Sequence, residues 1–160
     1  MTQAILDRLA HLCPDGVTGT SAFRGELTAI VPPTRLLAVC TALQTDAELA
    51  CDMVVDITAV DRYRAAQRFE VVYHLYSVRH KHYVRLRVPV EEDHPVVPSL
   101  TGLYAAANWH ERETFDMFGI RFDGHPDLRR MYMPEEFTYH PLRKDFPLMG
   151  IPDSLPLPRR

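Results

Sequence analysis

Seven of the chain's 13 prolines fall at or after residue 126: Pro126, Pro134, Pro141, Pro147, Pro152, Pro156 and Pro158. Each removes a backbone donor and pushes the preceding residue out of the helical region. No helix or central strand of ordinary length fits between them. Yet the segment carries Met131, Tyr132, Met133, Phe137, Tyr139, Leu142, Phe146 and Leu148, residues in which a solvated linker is poor. Residues 125–160 therefore read as an extended arm that needs a second surface to cover it, and residues 1–124 as the body that holds it out. For 150–160 an ordered and an unordered tail fit the sequence equally.

The arm grows from a helix that the spacing predicts over 99–118. Ser99 is placed to cap its first amides. Leu100, Leu103, Tyr104 and Ala107, then Phe115 and Phe118, form its apolar face. Gly119 supplies a left-handed stop, with Ile120 closing a hydrophobic contact behind it. Glu111, Arg112, Glu113 and Asp116 lie between the apolar positions. Glu113 and Asp116 are spaced to share a face, and Arg112 and Asp116 to pair. One reading is a solvated, salt-bridged face worth roughly 0.2–0.5 kcal/mol per pair. The other is a charged constellation with a binding role.

Upstream, Thr2 can cap a first helix whose face is Ile5, Leu6, Leu9 and Leu12. Pro14-Asp15-Gly16 is a turn. Residues 17–23 and 26–31 read as a hairpin around Arg24-Gly25. Pro32-Pro33-Thr34 starts a second helix with the stripe Leu36, Val39, Cys40 and Leu43. Thr45 and Glu48 have capping-box spacing, which predicts one more short turn of helix. Three strands follow, alternating at Met53, Val55, Ile57 and Ala59, at Phe69, Val71, Tyr73 and Leu75, and at Val84, Leu86, Val88 and Val90. Arg85 and Arg87 face the other way. Asp61 to Arg68 reads as a hairpin loop, and Arg121 to Asp123 as a short strand. Strands in blocks define an α+β class. One apolar side per strand predicts a two-layer body, a single sheet with helices on one face.

Composition bounds the function. A formal charge of -3 with no basic cluster argues against nucleic acid. The apolar runs fall far short of the ~20 residues of a membrane span. Met1 to Leu12 reads as neither a secretory signal nor a transit peptide. Cys13, Cys40 and Cys51 are odd in number and lack C-x-x-C spacing, so neither a disulfide framework nor an iron–sulfur site is expected. His110 to Thr114 does not match H-E-x-x-H, and His80 and His82 have no further ligand at metal spacing. No G-x-S-x-G, G-x-G-x-x-G or Walker sequence occurs. Metal, cofactor and nucleotide sites are thus not expected in this chain.

The crowded stretch 109–148 resembles a known family, the 30 kDa subunit of respiratory complex I, the bacterial NADH–quinone oxidoreductase. The family signature is filled at Glu111-Arg112-Glu113, Asp116, Met117-Phe118, His125, Arg129 and Met131-Tyr132. The block His140-Pro141-Leu142-Arg143-Lys144-Asp145-Phe146-Pro147-Leu148 resembles the family's closing segment. His110 and the Phe137-Thr138-Tyr139 stretch depart from the usual pattern.

The resemblance implies a mixed sheet of about five strands and a non-catalytic structural subunit in a membrane-bound redox assembly. That assembly takes electrons from NADH through FMN and Fe–S clusters in partner subunits to quinone and pumps protons. This chain is then expected in the peripheral arm, on the cytoplasmic side of the bacterial membrane. It would keep the quinone-site (49 kDa-type) subunit and the Fe–S subunits in register. Glu111, Glu113 and Asp116 are expected to pair with Arg or Lys of this chain or a neighbour. Arg129, Arg130, Arg143 and Lys144 are expected to meet a partner's carboxylates or carbonyls. Arg112, His125, His140 and Asp145 complete the partner-binding set. Related scaffolds serve membrane-bound hydrogenases and deazaflavin-dependent dehydrogenases. The contrasting reading is a stand-alone small hydrolase or metalloenzyme built on the acidic helix and the histidines.

Overall fold

The computed structural model describes residues 2–63, 65–147 and 150. The expectations for Leu148 and for the tail beyond Gly150 lie outside these residues, as does the Thr2 side chain expected to cap the first helix.

The elements in chain order are α1 (Thr2–Leu12), β1 (Gly19–Phe23), β2 (Glu26–Ile30), a short 3-10 turn (Pro33–Arg35), α2 (Leu36–Thr45), β3 (Met53–Asp61), β4 (Phe69–Ser77), β5 (His82–Val90), β6 (Val96–Pro98), α3 (Ala107–Phe118) and β7 (Arg121–Asp123). Five strands form one mixed sheet in the order β1-β2-β5-β4-β3. The β2–β5 pair is parallel and the other three are antiparallel. The body is therefore α+β with a mixed five-stranded sheet, as expected. β6 and β7 make a separate parallel pair. Only β7 is legible from sequence.

The period-2 alternation sorts the sheet's faces. Val71, Tyr73, Leu75, Val84, Leu86 and Val88 point into the core against Leu36, Val39, Cys40 and Leu43, the expected stripe of α2. The other face carries charge: Glu70 holds Arg62 and Arg87, and Arg85 reaches Glu26 and His74. The stripe on α1 is narrower than its spacing suggests. Ile5 and Leu9 are buried, while Leu12 is 37% exposed at the helix end.

Two helix boundaries differ from the sequence reading. Thr45 does not start a further turn; its hydroxyl returns to Thr41 O within α2. Asp46 takes over instead, accepting the Glu48 and Leu49 amides at 3.0 and 3.1 Å. The arm-bearing helix starts at Ala107 and not at Ser99. Residues 100–106 are turns in which the Leu103 and Tyr104 amides both reach Leu100 O. Ser99 is not free to cap, because its hydroxyl is bonded to Glu111.

α3 lies against the β3 edge. The Thr114 hydroxyl is shared between His110 O of its own helix and Ile57 O of the strand, at 2.9 and 3.0 Å. The edge is thereby covered by a helix, one of the standard protections of a sheet margin. This contact fixes α3, and α3 positions everything that follows.

Candidate partner-binding site

Residues 125–147 contain no helix or strand. They are nonetheless tied down, and the tie points are on α3. Asp116, in the last turn, is fully buried. One of its oxygens accepts the amides of Met131, Tyr132 and Met133 at 2.9, 2.7 and 3.0 Å. The other takes Arg130 at 2.6 Å. A carboxylate at a helix C-terminus opposes the macrodipole, so these donors carry the whole compensation. Burial pushes the carboxyl upward, but the three amides and Arg130 outweigh it and hold it below the usual aspartate range.

The orphan carbonyls at the end of α3 are capped by the arm. His140 Nδ1 donates to Asp116 O at 2.9 Å, the Leu142 amide to Met117 O at 3.1 Å and Arg143 Nε to Phe118 O at 2.5 Å. Gly119 lets the arm come this close. It has φ +73°, and a Cβ there would sit 2.5 Å from both Arg143 Nη2 and His140 Nε2. Its amide makes one bond, to Phe115 O, the simple left-handed stop. Ile120 behind it is buried.

A second clasp lies at the β3–β4 turn. Arg68 and Asp61 form a buried ion pair at 2.9 Å. The Lys144 amide adds a bond to Asp61 at 2.8 Å, and Asp145 meets Arg68 at 3.0 Å. Arg68 and Arg143 both lie 5.0 Å from the Phe69 ring centroid. Burial pushes Asp61 up, yet Arg68 and the Lys144 and Tyr63 amides bring it down to about 2. Sequence spacing does not single out Asp61 and Arg68. The available signal is an acid and a base flanking one hairpin loop.

The expected site residues sort as follows. Arg112 does not pair with Asp116; it donates to Arg129 O and Arg130 O at 3.1 and 3.3 Å and lies over Trp109. Glu113 and Asp116 do not share an environment, since Glu113 is exposed and Asp116 buried. Glu111 meets no Arg or Lys among the described residues. It is fully buried and accepts Ser99 Oγ and the Leu100 amide, both at 2.6 Å. Burial lifts its carboxyl to about 7 against these two bonds. His125 Nε2 donates to Asn108 O at 3.1 Å while its Nδ1 accepts the Asp127 amide at 3.0 Å. Arg129 pairs with Asp127 at 2.7 Å on the surface. Arg130 and Arg143 make contacts within the chain, Arg130 to Asp116 and Arg143 to Phe118 O. Arm amides find acceptors on the body: Met131, Tyr132 and Met133 on Asp116, Leu142 on Met117 O, and Lys144 on Asp61.

The acidic residues of α3, on which a hydrolase reading would rest, are not assembled in a cleft. Glu111 and Asp116 are closed off, and Glu113 lies at the surface. The outward face of the strap carries large apolar side chains: Tyr132 is 58%, Tyr139 48% and Leu142 54% exposed, with Trp109 of α3 at 61%. Aromatic residues at this exposure are the type enriched at protein interfaces. No helix among the described residues is long and apolar enough to cross a membrane.

An α+β body with a mixed sheet, whose last helix clasps a proline-rich strap, defines a small arm-bearing domain. The family described as "Respiratory-chain NADH dehydrogenase, 30 Kd subunit" matches residues 29–152, and the chain belongs to that family. An NADH-quinone oxidoreductase subunit of Roseiflexus sp. (strain RS-1) is 49% identical over 144 residues, covering 90% of this chain and 83% of the relative. The trypsin-resistant fragment (1-134) of Nqo5 matches with a TM-score of 0.64 and 28% identity, over 79% of this chain and 98% of that one. A chain of the membrane-bound sulfane sulfur reductase, an archaeal respiratory membrane complex, matches with a TM-score of 0.77 and 25% identity, over 92% and 86%.

Proposed function

We propose that this chain is a non-catalytic structural subunit of the peripheral arm of an NADH:quinone oxidoreductase. It holds the quinone-site subunit and the Fe–S subunits in register while the complex moves electrons from NADH through FMN and Fe–S clusters to quinone and pumps protons. It reaches the cytoplasmic side of the membrane through those partners. The observation that carries this reading is the strap: α3 holds the amides of Met131, Tyr132, Met133 and Leu142 and the His140 ring, while Tyr132, Tyr139 and Leu142 stay exposed, as does Trp109 of α3. The signature residues then act by shaping the arm. Asp116, Arg130, His140 and Arg143 set its path, Glu111 sets the helix, and Asp145 ties its end. Arg112 and His125 fix its root, and Arg129, Lys144 and Glu113 line its rim.

The test is capture of the partner protein in co-expression. Replacing Tyr132 and Leu142 together by Ala is expected to weaken capture at least tenfold, since one buried aromatic anchor carries about 2 kcal/mol or more at an interface. Undiminished capture by a folded double variant would overturn the docking role. The likeness to the sulfane sulfur reductase favours one second reading: the same scaffold role in a related membrane-bound complex, such as a hydrogenase or a deazaflavin-dependent dehydrogenase. Capture of a nickel-site subunit in place of the flavin and Fe–S subunits would identify it.

A further inference from the structure

Glu111 is buried on α3 yet makes no polar contact with the arm. Its surroundings are unusual for a carboxylate. The residue is 0% exposed. Its two contacts are neutral, Ser99 Oγ and the Leu100 amide, each at 2.6 Å. β4 presents the Tyr73 phenol, whose buried hydroxyl has no partner among the described residues, and α2 presents the Cys40 thiol. Tyr104 of the turn spends its hydroxyl on Cys51 O. The charged neighbours on α3 point elsewhere: His110 to Asp56, Arg112 to the arm, Glu113 to solvent. A buried anion with no cation costs more than two neutral hydrogen bonds return.

We propose that Glu111 carries a proton in the folded protein and that this proton is a latch: neutral Glu111 seats the 99–101 turn on α3, and ionised Glu111 lets the turn lift. The contacts admit the neutral form: Ser99 Oγ lies 2.6 Å from Oε2 and 2.8 Å from Thr101 Oγ1, so the protonated carboxyl keeps a hydroxyl partner, and Oε1 accepts the Leu100 amide. Ser99 Oγ also accepts the Thr101 amide at 3.2 Å. The turn is joined to the arm's root, because the Ser99 amide donates to Asp123 O at the end of β7. Loosening it frees one side of the β6–β7 pair while the Asp116 clasp stays closed. This device is independent of which partner the strap meets.

A carboxyl raised by folding is most stabilising below its ordinary range. Burial raises Glu111 from 4.5 to about 7, so the latch is fully closed below about 4.5, eases as pH rises toward about 7, and changes no further above it. The test is amide exchange at Leu100 and Thr101 in the full chain from about pH 5 to about pH 8, corrected for intrinsic rates, with β4 and β5 amides as reference. In the wild type, protection at these two amides is expected to fall about tenfold per pH unit up to about 7 and then level off. In Glu111→Gln it is expected to stay flat, since the carboxamide accepts the Leu100 amide and donates to Ser99. Ser99→Ala removes a donor that favours the anion and is expected to move the levelling point to higher pH. A purely packing role for Glu111 moves no midpoint. His74, His82 and His140 are lowered from the ordinary imidazole value, mainly through burial. They are common to all variants and cancel in the difference. Parallel profiles for the wild type and Glu111→Gln, or a levelling point at the ordinary carboxylate value, would overturn the proposal. Should Glu111→Gln fail to fold, the Ser99→Ala shift decides it.

Discussion

Glu111 and Asp116 sit on the same helix, both buried, and the protein treats them in opposite ways. Asp116, near the C-terminal end, is given three amides and an arginine and stays an anion below its usual range. Glu111, a turn and a half earlier, is given a hydroxyl and one amide and is lifted to about 7. Burial is common to both. The number and charge of the donors decide the sign. The same contrast separates two jobs: Asp116 grips the arm with charge, and Glu111 joins two parts of the body without it.

The largest effect is expected at the charged end. Asp116→Ala leaves three arm amides without their acceptor and Arg130 without its counter-ion, and should cost about 3–5 kcal/mol, the range for breaking one side of a buried pair. Denaturant melts would measure it, with the arm's aromatic signals lost ahead of the sheet's. The neutral end should respond with the other sign above neutrality. Glu111→Gln removes the cost of ionising a buried carboxyl raised from 4.5 to about 7, a gain on the order of 3 kcal/mol over wild type above about pH 7 that vanishes below about 4.5. Melting midpoints of the two proteins across that range check it.

Acid sharpens the comparison from the other side. Asp61 is lowered to about 2, so its contribution is present above the ordinary 3.8 and is lost as pH falls from about 4 toward about 2. Asp116 is also lowered, so its grip disappears in the same direction. The arm is therefore expected to open in acid, where the Glu111 latch is tightest. Arm and turn amides followed together in an acid titration should part company below about pH 4. A smaller effect is expected at Gly119, where Ala adds a Cβ at positive φ, 2.5 Å from Arg143 and His140. The backbone term alone is about 1–2 kcal/mol, and arm protection should fall with it. Least of all should follow from Arg129→Ala. Its pair with Asp127 is exposed, and such pairs contribute little against side-chain entropy and salt screening.

The parts of the fold legible in the sequence are those written in local periodicity. The α2 stripe and the alternation of β5 follow from spacing alone, because one face of each is buried. On β3 the expected face holds only at Ile57 and Ala59: a bulge between Val54 and Asp56 turns Met53 and Val55 outward and buries Val54. The three-residue pair β6–β7 is too short to show a period. The start of α3 escapes sequence reading for a different reason. Ser99 looks like a local cap, and its hydroxyl is claimed by a carboxyl 12 positions later. The charged face misleads in the same way. Glu111-Arg112-Glu113 and Asp116 have the spacing of a solvated face, but Asp116 finds its donors 14 to 17 residues on. Only the family resemblance marks these residues as special, and it does not say that they act first on their own arm. Gly119 is legible as a helix stop; that it also makes room for Arg143 and His140 emerges only from the tertiary fold.

The central claim is that α3 holds the arm through Asp116 in the chain by itself. Amide exchange at Met131, Tyr132 and Met133 in the isolated full chain tests it most directly. All three are expected to be protected in the wild type, and to exchange near intrinsic rates in Asp116→Ala while the β4 and β5 amides keep their protection. Intrinsic-rate exchange at these amides in the wild type would contradict it.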